Sequence, residues 1–215
     1  DRKINFKFIY SGQHYDHRLS TQIINDLELP MPDFSLKLKS KTPASQVAEI
    51  MTNLADQLGK KDDAVIVQGD TNSVLATSLL AVKLKRKIAH IEAGLRSFDW
   101  RMPEEHNRRM VDHISDFLFA PTRNSYQNLI DENVSGKIYI SGNTVMDAIK
   151  EHLPFSKKKS TILQNVKFSE YALATFHRAE NVDDEKVLNN IIKGIISAKI
   201  PTIISLHPRT RKMLK

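Results

Sequence analysis

AVIVQGDTNSVLATSLLAVKLKRKIAHIEAGLRSFDWRMPEEHN, residues 64–107, reads as strand, helix, strand, loop and helix start. Ala64–Val67 is an uninterrupted apolar run, the pattern of a parallel strand covered on both faces. After Gly69-Asp70-Thr71 comes a helix carrying Leu75, Leu79 and Val82. The next strand is Lys87–Glu92. Pro103 suits a first helical turn, and Glu104 and Glu105 complement the positive end of a helix dipole, so a helix is predicted from Pro103 to about Asp116. Each strand ends in a carboxylate, Asp70 for the first and Glu92 for the second, and Glu104 opens the helix. In an open parallel sheet the crevice beyond the carboxyl ends of the strands is where ligands sit, so these three acids are candidates to converge.

Outward from this stretch the same alternation continues. Asn5–Tyr10 is β-rich and ends in Ser11-Gly12-Gln13-His14, and a helix is predicted from there to about Leu29, where Pro30-Met31-Pro32 breaks it. Pro43–Leu58 carries the helical stripe Val47, Ile50, Met51, Leu54 and Leu58. Phe117–Ala120 and Lys137–Ile140 are further strands, the latter leading through Gly142-Asn143-Thr144 into a helix with Val145, Ala148 and Ile149. The pattern is that of a doubly wound α/β sheet. At His152–Lys167, with Pro154 and the run Lys157–Lys159, the sequence turns polar and reads as an irregular linker. A new unit begins at Tyr171–Thr175, passes the polar turn His177-Arg178-Ala179-Glu180-Asn181, enters a helix with Val187, Ile191, Ile192 and Ile195, and returns as Thr202–Leu206, stopping at His207-Pro208-Arg209. The expected domains are 1–150, a linker at 151–168, and 169–215 as the start of a second domain.

Composition narrows the function classes. There is no cysteine in the 215 residues, which excludes disulfides and thiolate chemistry, and no apolar run approaches the roughly 20 residues of a membrane span. A cytoplasmic, soluble protein without membrane contact is the expectation. The net charge of +7 (32 basic minus 25 acidic residues) is spread over many helices, with no aromatic-and-basic module, so no nucleic-acid partner is expected. His14 and His17 lack a third ligand at a metal spacing, and no metal is expected. The seven glycines, at 12, 59, 69, 94, 136, 142 and 194, include no two that are two or five apart, which removes both G-x-G-x-x-G and the Walker A loop. No redox cofactor is indicated, and G-x-S-x-G is absent too.

What remains is a set of carboxylates, histidines and arginines at strand ends, suited to acid–base work on a phosphate-bearing substrate. Asp70 has an alternative as a helix N-cap. Glu92 closes an apolar strand, and burial there would raise its proton affinity. Glu104, Arg108 and Asp112 recur every four residues, a spacing that also fits a surface salt-bridge ladder, with Met110 and Ile114 on the inner face. His177-Arg178 is a candidate diphosphate holder, the arginine as a fork and the imidazole as a donor. His207 has the alternative of a satisfied histidine at a strand end.

Seven motifs stand in one order and spacing: Gly69-Asp70-Thr71; His90-Ile91-Glu92-Ala93-Gly94-Leu95-Arg96-Ser97; Pro103-Glu104-Glu105 with Asn107-Arg108; Phe119-Ala120-Pro121-Thr122; Gly142-Asn143-Thr144-Val145 with Asp147-Ala148; His177-Arg178 with Glu180-Asn181; and His207-Pro208-Arg209. In this the chain resembles the non-hydrolysing UDP-N-acetylglucosamine 2-epimerases from about Ser11 to Arg209. The resemblance implies a glycosyltransferase-B-like α/β fold of two Rossmann-type, doubly wound parallel sheets, the first nearly complete here and the second only partly present. It implies interconversion of UDP-N-acetylglucosamine and UDP-N-acetylmannosamine without NAD or metal, through elimination of UDP to a 2-acetamidoglucal and re-addition. Carried over by position, Asp70, Glu92 and Glu104 match catalytic carboxylates, His177 a phosphate-side histidine, and Arg108 a substrate-cleft arginine. Gln13 and His207 resemble positions of a second, regulatory UDP-N-acetylglucosamine site. Asp16 stands where some regulated members carry another glutamine. A homodimer and a place in cell-surface polysaccharide supply are also implied.

The family's Gly-Thr-Arg-Pro-Glu loop has no match, and its later Ser-Gly-Gly segment and ribose-binding acid would lie beyond Lys215. The sequence therefore reads as part of a longer enzyme. Three other readings stay open: a hydrolysing relative releasing UDP and N-acetylmannosamine, a sibling acting on a 2,3-diacetamido uronic acid sugar nucleotide, and a non-catalytic sugar-nucleotide-binding fragment.

Overall fold

The computed structural model describes residues 5–12, 21–58 and 64–214, which fall into two compact units, Asp1–Phe155 and Ser156–Lys215. In the first unit β1 (Ile9–Tyr10) and β2 (Phe34–Ser35) pair in parallel, and β3 (Ala64–Gln68), β4 (Lys87–Ile91), β5 (Phe117–Ala120) and β6 (Lys137–Ile140) form a parallel sheet in that order. Strand follows strand with a helix between: α1 (Thr21–Asp26), α2 (Pro43–Leu54), α3 (Asn72–Lys83), α4 (Pro103–Ile114), α5 (Arg123–Asp131) and α6 (Thr144–Lys159). Helix α2 starts where Thr42 caps it, its hydroxyl accepting from the Ser45 N–H, with Pro43 in the first turn.

Strand register decides which residues meet the helices. Val67 lies opposite His90 and His90 opposite Leu118, so these three side chains share one face. On that face Val67, Ile88, Val74, Leu75, Ala81 and Val111 close a buried core, with Val65 and Leu79 against it. A second cluster joins Leu36, Leu38, Ile50, Leu54, Ala76 and Leu80, and a third Ala93, Leu118, Ala120 and Leu129. The opposite face differs from the expectation for Ala64–Val67. Ile66 is 68% exposed, because α3 and α4 cover only the side to which Val65 and Val67 point. In α4 the inward positions are Asn107, Val111 and Ile114, and Met110 is exposed rather than inside. Helix α3 likewise buries Leu75, Ala76, Leu80 and Ala81 and leaves Val82 outside.

The segment that reads as an irregular linker is helical as far as Lys159, since α6 runs through Pro154. One lost N–H does not end a helix whose last turn carries Lys157, Lys158 and Lys159, cations that complement its negative pole.

In the second unit β7 (Ala172–Ala174) and β8 (Thr202–Ile204) pair in parallel, with α7 (Ala179–Val182) and α8 (Glu185–Ser197) between them and α9 (Pro208–Met213) after. Asp184 caps α8 by accepting from the N–H groups of Lys186 and Val187. Leu188, Val182 and Thr210 are buried, and the Thr210 hydroxyl donates to the Phe176 carbonyl at 2.6 Å. No helix among the described residues is long and apolar enough to cross a membrane.

Candidate functional site

The site of the first unit is built at the carboxyl ends of β3 and β4. Glu92 follows β4 directly and takes φ +69°, a left-handed conformation in which the chain turns out of the strand. Its expected burial is only partial. The carboxylate accepts from the Gln68 side-chain amide at 3.2 Å, and the same amide reaches the Thr144 hydroxyl at 3.3 Å. Gly69, at φ +82°, carries the backbone past this carboxylate: a Cβ there would stand 3.7 Å from the second Glu92 oxygen. Asp70 comes next, so the two acids sit on neighbouring strand ends.

Asp70 does not cap α3, whose N-cap position is Thr71. Its carboxylate is instead taken by the Arg108 guanidinium, and the Asn107 amide donates to its carbonyl at 2.8 Å. The four-residue ladder Glu104, Arg108, Asp112 is not formed. Arg108 pairs with Asp70 and with Glu105, and Asp112 faces away toward the core. Glu104 is exposed at the start of α4, one turn before Arg108, without an ion pair or hydrogen bond among the described residues.

Sequence reasoning missed Glu105. Its side chain is fully buried, and it accepts from the Ser97 N–H at 2.8 Å, the Ser97 hydroxyl at 2.9 Å, Arg108 at 2.9 Å and Arg109 at 2.9 Å. Burial alone would raise this carboxyl; the Ser97 N–H, Arg109, the Ser97 hydroxyl and Arg108 outweigh it and hold the pKa down at about 2. Glu105 thus ties the loop after β4 to the arginine that holds Asp70. Arg109 continues the network to Glu132 at 2.5 Å and lies 4.6 Å from the centre of the Trp100 ring.

Beneath the strand ends lies a second buried set. The His90 ring contacts Asp112 at 2.7 Å through Nδ1 and the Gly69 carbonyl at 2.9 Å through Nε2. The other Asp112 oxygen accepts from the Gly94 N–H at 3.1 Å and from Arg96 at 2.8 Å. Arg96 in turn makes a two-pronged contact with Glu132, at 2.8 and 2.6 Å. Only a doubled Glu at 104–105 and the spacing of 105, 108, 109 and 112 on one helix hinted at any of this; Glu132 has no local signal.

The remaining candidates belong to the second unit. His177 is exposed beyond the end of β7, and its ring stacks on that of His207 at 4.9 Å and 26°. Arg178 is exposed, with Glu180 at 3.9 Å. The reading of His207 as a satisfied strand-end histidine has support, since its Nδ1 accepts from the Arg209 N–H at 3.2 Å as the cap of α9. Gln13, with His14, Asp16 and His17, lies outside the described residues. Among the described residues no three His, Asp or Glu side chains are gathered as a metal site.

Against known proteins, all of residues 1–215 match the family model for UDP-N-acetylglucosamine 2-epimerase. The UDP-N-acetylglucosamine 2-epimerase of Methanocaldococcus jannaschii is 42% identical over 99% of this chain and 61% of its own length. A UDP-2,3-diacetamido-2,3-dideoxy-D-glucuronate 2-epimerase of Pseudomonas aeruginosa is 38% identical over 96% of the chain and 60% of its own. The crystal structure of the M. jannaschii enzyme in complex with UDP-GlcNAc and UDP superposes with a TM-score of 0.90 over 99% of this chain and 61% of that one. That of Neisseria meningitidis bound to UDP-GlcNAc gives 0.80 at 31% identity over 92% and 58%. The chain spans about 60% of the length of these relatives. The expected fold class, glycosyltransferase-B-like with Rossmann-type parallel sheets, holds.

Proposed function

The chain belongs to the UDP-N-acetylglucosamine 2-epimerase family, and on that premise we propose that it carries the acid–base half of an enzyme that inverts C2 of a UDP-N-acetylhexosamine. The observation that carries this reading is the pair of carboxylates, Asp70 and Glu92, on adjacent strand ends in different settings: Asp70 held by an arginine, Glu92 by a neutral amide. Inverting C2 removes a proton from one face and returns it on the other, which asks for two acid–base groups. Asp70 is fixed in direction by its ion pair with Arg108, and Glu92, oriented by the Gln68 amide, is the group we assign to pick up and deliver a proton. Glu104, at the positive pole of α4 and unpaired among the described residues, is a third acid–base candidate.

In the proposed reaction a carboxylate takes the C2 proton as the C1–O bond to UDP breaks. The products are a 2-acetamidoglucal and the UDP anion, and re-addition of UDP at C1 with protonation of C2 from the opposite face gives the other isomer. We assign the departing diphosphate to His177 and Arg178, both exposed beyond the end of β7. The Pseudomonas relative makes a 2,3-diacetamido uronic acid sugar nucleotide a second substrate reading, since C2 chemistry is shared and only the groups at C3 and C5 differ.

The test is proton NMR of UDP-N-acetylglucosamine with the chain in D2O. Loss of the C2 proton signal and growth of the manno isomer are expected, and both should vanish in Glu92→Gln. Free UDP with N-acetylmannosamine would mean that water captures the intermediate, and an unchanged spectrum would overturn the reading.

A further inference from the structure

The buried groups beneath the strand ends have a proton count of their own. His90 is fully buried, and both of its ring nitrogens face acceptors: Asp112 at 2.7 Å and the Gly69 carbonyl at 2.9 Å. A carbonyl has no proton to give, so Nε2 donates. The other Asp112 oxygen takes the Arg96 guanidinium at 2.8 Å and the Gly94 N–H at 3.1 Å, a charge-assisted pairing that is strongest with a carboxylate. Facing a carboxylate, Nδ1 donates as well.

We propose that His90 is an imidazolium clamp, a positioning residue that fixes the two turns bearing Asp70 and Glu92 in one register. One ring N–H holds the Gly69 carbonyl, one residue before Asp70. The other holds Asp112, which holds the Gly94 N–H, two residues after Glu92. Both turns contain left-handed residues, Gly69 at φ +82°, Glu92 at +69° and Gly94 at +77°, so each needs an external tie to keep its carboxylate in place. The charges agree with this count. His90, Arg96, Arg108 and Arg109 face Asp70, Glu105, Asp112 and Glu132, four cations to four anions in one connected network. A neutral His90 against the Asp112 carboxylate would leave that network one negative charge in excess inside the protein.

The catalytic part of this inference rests on the epimerase reading; the protonation part does not. Long-range 15N–1H correlation spectra at pH 7 test it directly. The expected result is that His90 shows both Hδ1 and Hε2, and that Asp112→Asn, which keeps the shape and removes the anion, loses Hδ1 while Hε2 persists. A bare nitrogen on His90 in the wild-type spectrum, or both protons surviving in Asp112→Asn, overturns the proposal. For the positioning role, His90→Asn should lower kcat in the D2O assay on the order of a hundredfold, with KM little changed. Wild-type kcat in that variant overturns this half. If the wild-type chain turns over no UDP-sugar, the epimerase reading fails, and the ring-proton measurement still decides the state of His90.

Discussion

Arg108 on α4 reaches across 38 residues of sequence to hold the carboxylate of Asp70 at the end of β3, and with its other terminal nitrogen it holds Glu105 at 2.9 Å. The guanidinium is nearly buried, with 13% of its side chain exposed, and two anions flank it. Burial opposes its charge, but Asp70 and Glu105 more than compensate and raise its pKa above the ordinary arginine value. The direction of the Asp70 carboxylate is thus set by a helix rather than by its own turn.

Arg108→Lys follows from this geometry. An ammonium is a point charge and cannot reach both carboxylates as the planar fork does. Either Asp70 or Glu105 loses its contact with residue 108, and Glu105 keeps Ser97 and Arg109. On the proposed epimerase reading, turnover of UDP-N-acetylglucosamine should fall about 10- to 100-fold, with a stability loss of about 1–2 kcal/mol for the broken charge-assisted bond. Urea unfolding and the D2O assay on the same sample separate the two effects. Unchanged turnover would remove Arg108 from the site.

Glu105 sets an acid limit on stability. Its folded pKa of about 2 lies below the unfolded value near 4.5, so the unfolded chain binds the proton first. The contribution is fully present above about pH 4.5, declines as pH falls, and is gone below about 2. Linkage puts it at roughly 3 kcal/mol. Asp116, whose carboxyl Lys87 and the Ile88 N–H lower against its burial, adds in the same direction. Unfolding free energy measured from pH 7 to pH 3 should drop, and Glu105→Gln should be less stable at pH 7 with a flatter slope. An equally steep slope in that variant would mean that other acids dominate.

The fold was largely legible because its signals are local. Ala64–Gln68, Phe117–Ala120 and Lys137–Ile140 are apolar runs between turn residues, and the helices between them carry their own stripes. The errors came where placement depends on partners distant in sequence. Ile66 looks as buried as Val67, and only the position of α3 and α4 on one face tells them apart. Pro154 looks like a break, but the residues around it hold the helix. The carboxylates at strand ends were found from topology, whereas their electrostatic roles were not. Glu104 and Glu105 are neighbours of the same type, and the helix turns one to solvent and the other to Ser97, Arg108 and Arg109. No spacing rule distinguishes them without knowing where the loop after β4 passes.

Gly94 is fixed by that loop. It sits at φ +77°, and a Cβ there would meet the Ser125 carbonyl oxygen at 2.1 Å and Leu129 Cγ at 2.8 Å. The first of these is backbone at the start of α5 and cannot swing aside. Gly94→Ala combines left-handed strain with overpacking and should cost about 3 kcal/mol or more. Because the Gly94 N–H also donates to Asp112, turnover should fall even at temperatures where the variant stays folded. Thermal unfolding and the D2O assay check the two parts, and a wild-type melting temperature would contradict the close packing.

Gln68 tests the setting of Glu92. Its amide is the side-chain donor to that carboxylate, at 3.2 Å, and it is shared with Thr144 at 3.3 Å. Gln68 is exposed at the end of β3, so its removal leaves no cavity and should change stability by less than about 0.5 kcal/mol. What Gln68→Ala removes is orientation: the Glu92 carboxylate, on a left-handed residue, is then free to rotate. Turnover should fall roughly 3- to 10-fold with KM little changed, the signature of a contact that matters in the transition state. Gln68→Glu is the sharper variant. It keeps the size but places a second anion against Glu92, and the repulsion should turn that carboxylate away and lower turnover further than alanine does. Equal rates in both variants would show that Glu92 is oriented by something other than the residue at the end of β3.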